Sequence, residues 1–183
     1  MAPATCRIFA TAILLSTYGC SGSSGSPSTS AAVSVSPSGS APAAAGSLPR
    51  ADLIDDAVAA LETRLGAPQQ YFEINATGQL VNLFVALNDG KLVQPWVYLD
   101  GELSSTEGHD ATGFTFDKSA LDFDAGKVFS RIQAELPQSK PDAFIVEAGA
   151  GGIVRYSVTV TSSQGGQLVV VVGPDGAVKS VGA

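Results

Sequence analysis

Residues 49 to 183 predict an α+β domain, in which a tandem helix, strand, strand, strand repeat forms an antiparallel sheet of about six strands with two helices on one face. Three observations predict it: two stretches with apolar residues at helical spacing 71 positions apart, three strand-like runs after each, and matching turn residues between the runs.

In the first stretch Ile54, Ala57, Val58, Leu61 and Leu65 recur every three or four residues, the pattern of one buried helical stripe. Gly66 and Pro68 end it. Ala125, Val128, Phe129, Ile132 and Leu136 repeat those intervals, and Pro137 and Pro141 stop the second stretch. Asp52, Asp55 and Asp56 stand at the start of the first helix and Asp122 and Asp124 at the start of the second, where carboxylates cap free N–H groups and complement the helix dipole.

The strand runs follow in the same order. Tyr71 to Asn75 corresponds to Phe144 to Glu147, Leu80 to Leu87 to Val154 to Thr161, and Leu92 to Leu99 to Leu168 to Val172. Thr77-Gly78 corresponds to Gly151-Gly152, Asn88-Asp89-Gly90 to Gly165-Gly166, and Asp100-Gly101 to Asp175-Gly176, residues that supply the backbone angles of tight hairpins. Repeat 1 then covers about 49 to 101, a connector 102 to 121, and repeat 2 about 122 to 183. Helices and hairpins in that order make one domain with the helices covering one side of the sheet.

The second repeat, with its alternating valines from Val154 to Val178 and its acidic-glycine turn before a last short strand, resembles the PepSY family. The tandem layout is similar to that of the beta-lactamase inhibitor protein, itself two helix-plus-sheet repeats. These resemblances imply a secreted binding or inhibitory module and name no target.

Before the domain the composition changes. Residues 1 to 19 read as a signal peptide: Arg7 is the only charged side chain before Arg50, and an apolar run from Ile8 to Leu15 precedes the small and polar Ser16 to Gly19. Ile8 to Cys20 would span about 20 Å as a helix, short of the roughly 30 Å hydrocarbon core. Gly19 followed by Cys20 resembles the cleavage site of bacterial lipoprotein precursors, and the composition resembles surface lipoproteins of actinobacteria. That resemblance implies cleavage between Gly19 and Cys20, lipid on the Cys20 sulfur, and a place on the extracytoplasmic face of the cell membrane. Thr17 stands where the family prefers leucine. Residues 21 to 48, mostly Ser, Ala, Gly and Pro without charge or aromatic ring, predict a disordered tether with an r.m.s. span of about 30 Å.

The composition excludes several functions. The chain carries a formal charge of -7, and without Arg7 it is -8, which opposes nucleic-acid binding. His109 is the single histidine, and there is no cysteine after Cys20, so thiol-histidine catalysis and thiolate metal sites have no residues. No metal or cofactor is expected. Gly149 to Gly152 lacks the spacing of a phosphate loop, and Asn75-Ala76-Thr77 reads as a turn.

Strand alternation gives one candidate site. If Val93, Val97 and Leu99 face the helices, then Gln94, Trp96 and Tyr98 face outward, joined by Phe84 and Tyr71 from the neighbouring strands. An open sheet face with these aromatics predicts a non-catalytic contact with an envelope protein, a wall component or a small ligand. Two other readings are a carrier holding a lipid or other apolar ligand between sheet and helices, and an enzyme working through carboxylates.

Overall fold

The computed structural model describes residues 47 to 182. It is an α+β structure of two helices and a large, open antiparallel sheet. The elements are α1 (Ile54–Leu65), β1 (Gln70–Thr77), β2 (Val81–Leu87), β3 (Leu92–Leu99), β4 (Glu102–Ser105), β5 (His109–Asp110), β6 (Phe116–Asp117), α2 (Ala125–Glu135), β7 (Ser139–Ala148), β8 (Val154–Ser162), β9 (Gln167–Val172) and β10 (Val178–Gly182). The sheet has ten strands where about six were expected. Three of the additional ones, β4, β5 and β6, come from the connector: β4 and β5 pair with β3, and β6 pairs with Gln70 and Tyr71 of β1. The fourth is β10.

The strand order β10-β9-β8-β7-β1-β2-β3-β4 places β1 beside β7 at the centre. Glu73 to Thr77 pairs there with Glu147 to Ala143. Each side of that seam holds one helix followed by a run of four antiparallel strands, the expected three and one more, β4 or β10, joined by short hairpins.

Both helices bury their stripe in one core. Ile54, Ala57, Val58 and Leu61 of α1 and Val128, Phe129 and Ile132 of α2 meet Ile74, Leu83, Val146, Val158 and Val170 of the sheet. Each large aliphatic side chain removed from water this way contributes about 1.5–3 kcal/mol. Leu65, expected in the stripe, is 39% exposed because α1 is ending there. Gly66 takes a left-handed conformation and donates its N–H to Glu62 O at 2.8 Å. Asp124 caps α2, accepting from Lys127 N at 3.0 Å, whereas Asp52 pairs with Arg50 and caps nothing.

The two helices sit differently on their terminal hairpins. At the turn between β9 and β10, a Cβ on Gly176 would come within 2.6 Å of Val128 Cα, so α2 rests on backbone there. Beside α1 the corresponding turn, Asp100-Gly101, stands away and borders a groove of about 650 Å3 with Ala59, Ala60 and Thr63.

Candidate functional site

Residues directly opposite in antiparallel strands share a face, so the pairing fixes what alternation left open. One row across the sheet runs Trp96, Leu83, Ile74, Val146, Tyr156, Val172, and all six are buried under the helices. The expected orientation of β3 is therefore reversed. Trp96 is 6% exposed and Tyr71 fully buried, while Tyr98, opposite Val81, packs half-buried against the core. Gln94 stands opposite buried Val85 and is also on the helix side. Of the five aromatic and polar residues proposed for the open face, Phe84 alone lies there. For Tyr71 the physical reason is the bulge at Phe72, which puts Tyr71 and Ile74 on the same face; for the others it is that β3 carries large apolar residues on both faces, so period-two alternation has no preferred sign. Trp96 and Tyr98 bring more area to bury than Val97 and Leu99. Gly19 and Cys20 lie outside the described residues.

Among the described residues two polar atoms go into the core without a partner, Tyr71 Oη and Trp96 Nε1. Burial, and then the charge of Glu62, push the Tyr71 phenol above its ordinary value. Tyr156 differs: its hydroxyl accepts from Asp122 N at 2.9 Å and donates to Ala120 O at 3.3 Å, fastening the end of the connector.

The face away from the helices consists of the opposite parity. Pro95, Phe84, Glu73, Glu147 and Arg155 form one row, and Val97, Asn82, Asn75, Ile145, Ser157 and Val171 the next. Most of these side chains are half-buried, and Leu99 and Val169 at the flanks are each 43% exposed. The connector covers one end: a methyl group on Gly113 would lie 3.5 Å from Phe72, the bulged residue of β1. A polar track crosses the middle of the face. Arg155 donates Nε and Nη2 to Glu147 Oε2 at 3.1 and 2.6 Å, Asn75 Nδ2 donates to Glu73 Oε1 at 2.8 Å, and Asn82 Nδ2 to Asn75 Oδ1 at 2.6 Å. Asn75-Ala76-Thr77, expected as a turn, is strand. Phe84 was legible as part of this face, but the Glu73-Asn75-Asn82 chain was not, because it needs the register of β1 on β2.

His109 is exposed in β5, opposite Val93. Hydrogen bonds hold three aspartates below the usual carboxylate range: from the Ser119 hydroxyl and N–H to Asp117, from Lys127 N–H to Asp124, and from Ala177 N–H to Asp175. Among the described residues no group of three or more His, Cys, Asp or Glu is placed to hold a metal ion, and no helix is long and apolar enough to cross a membrane. Comparison with protein-family models, with curated proteins and with solved structures gave no match.

Proposed function

We propose that this protein is a lipid-anchored envelope protein, tethered through Cys20 on the extracytoplasmic face of the cell membrane, whose domain binds a partner without catalysis through the helix-free face of its sheet. The observation that carries the reading is that face itself, where Phe84, Pro95, Val97, Leu99, Val169 and Val171 stay partly accessible around a hydrogen-bonded polar track. Apolar area left open on a rigid sheet, with polar groups fixed inside it, has the composition of a contact surface. The anchor rests on the sequence around Gly19 and Cys20. The same proposal includes descent of the two halves from one duplicated helix and three-strand unit of the PepSY or beta-lactamase-inhibitor-protein kind. The shared element order and the antiparallel meeting of β1 with β7 support that part.

A carrier of an apolar ligand has less support, because Tyr71, Phe116, Phe144, Ile74 and Leu83 fill the space between sheet and helices completely enough to have under 2% exposure. Two experiments test the proposal. Intact-mass analysis of the mature protein should show Cys20 as the first residue and carrying acyl chains; a free amine at any other residue removes the anchor. Retention of an envelope component by the wild type, lost with Phe84→Ser and Val97→Ser at an unchanged thermal midpoint, is the expected result for the face, and equal retention by both proteins overturns it.

A further inference from the structure

We propose that the partner of the open sheet face is a polypeptide segment presenting an arginine or lysine between apolar side chains, with the cation seated on Glu73 and Glu147. The inference rests on the reading of that face as a contact surface and specifies its chemistry.

Glu73 and Glu147 are directly opposite across the central seam, an arrangement of like charges that costs stability unless it is compensated. Compensation within the chain is partial. Arg155 places both of its nitrogens on one oxygen of Glu147, and Glu73 receives one neutral amide hydrogen bond, from Asn75. The guanidinium therefore serves Glu147 alone and Glu73 has no cation paired with it among the described residues, and one oxygen of each carboxylate accepts no hydrogen bond from those residues. Phe84 and Pro95 continue the same row on one side, and Ile145 and Val171 lie in the adjacent row. An arginine or lysine suits this floor because its aliphatic stem can lie on the apolar shelf while its charged end reaches the carboxylates. A second copy of the chain fits poorly, since face-to-face packing would bring two sets of these carboxylates together in molecules that each carry -8 beyond Arg7.

The test uses the full chain with Cys20→Ser and fluorescein-labelled Thr-Val-Arg-Val-Thr and Thr-Val-Glu-Val-Thr peptides, followed by anisotropy at low salt. The arginine peptide is expected to bind and the glutamate peptide not to. Glu73→Gln with Glu147→Gln should weaken the arginine peptide by about fivefold or more, and Asp55→Asn with Asp56→Asn, an equal charge change on α1, should not. Arg155→Gln should tighten binding, a gain that loss of folding cannot produce. Equal weakening by both charge pairs, tighter binding of the glutamate peptide, or no binding of the arginine peptide overturns the inference. If Phe84→Ser with Val97→Ser abolishes retention of the envelope component while the glutamine pair retains it fully, the contact surface stands and its cationic partner does not. If neither pair changes retention, both fail. Concentration-dependent dimers in sedimentation that Val97→Ser dissolves would put a second copy on the face and overturn the inference.

Discussion

The guanidinium of Arg64 lies over the indole of Trp96, with Cζ 5.3 Å from the ring centroid, and Nη1 donates to Leu103 O at 3.1 Å. One side chain thus links α1, β3 and β4. Trp96→Ala should cost about 3–5 kcal/mol, the range for emptying a buried aromatic site, whereas Arg64→Ala should cost about 1 kcal/mol through lost stacking and stem packing. Urea denaturation of both variants measures the difference. A cost below 1 kcal/mol for Trp96→Ala would mean that the indole is not in the core.

Gly176 and Gly101 occupy corresponding turns with nearly equal angles, φ +82° and +88°, yet only Gly176 has backbone within reach of an added Cβ. Gly101→Ala should therefore cost about 1 kcal/mol for the left-handed conformation alone. Gly176→Ala should cost clearly more, because Val128 Cα cannot move without lifting α2. Thermal midpoints of the two variants are the measurement, and equal shifts would remove the contact from the account.

Two buried tyrosines should respond oppositely to loss of the hydroxyl. Tyr71→Phe removes an unpaired polar atom from the core and should be neutral or stabilising, by up to about 1 kcal/mol. Tyr156→Phe leaves Asp122 N without its acceptor and should destabilise by about 1–2 kcal/mol. Chemical denaturation of the pair decides it; destabilisation by Tyr71→Phe would show that its hydroxyl has a partner.

Asp117, Asp124 and Asp175 have carboxyls depressed below their unfolded value of 3.8 by hydrogen bonds from Ser119, Lys127 and Ala177. A depressed folded value stabilises above the unfolded one, so this contribution is complete above about pH 5 and is lost as pH falls through the lowered folded values. The thermal midpoint should drop as the pH falls below about 4, less steeply in Asp124→Asn, which keeps a capping oxygen without the charge. An identical pH profile for that variant would remove Asp124 from the linkage.

The helices, the hairpin order and the class of fold were legible because they are local: stripes at three and four residues, and turns with glycine and aspartate. The connector strands were not legible, since β5 and β6 have two residues each and exist only because β3 and β1 offer them an edge. Leu103 alone carries no pattern for β4. The candidate face was legible in one residue of five for the same reason. β2 has one strongly apolar parity, so Phe84 could be placed, but β3 has two, and only its register on β2 puts Trp96 opposite Leu83.

The seam between β1 and β7 also constrains how the chain assembles. β1, β2 and β3 pair through short hairpins, as do β7, β8 and β9, while Glu73 meets Glu147 only after the whole intervening chain has been drawn into a loop. Contacts that close long loops form late and slow folding. During synthesis the β1 edge from Glu73 to Thr77 therefore stays open until β7 emerges, and a chain interrupted between them would present a bare central strand to its neighbours.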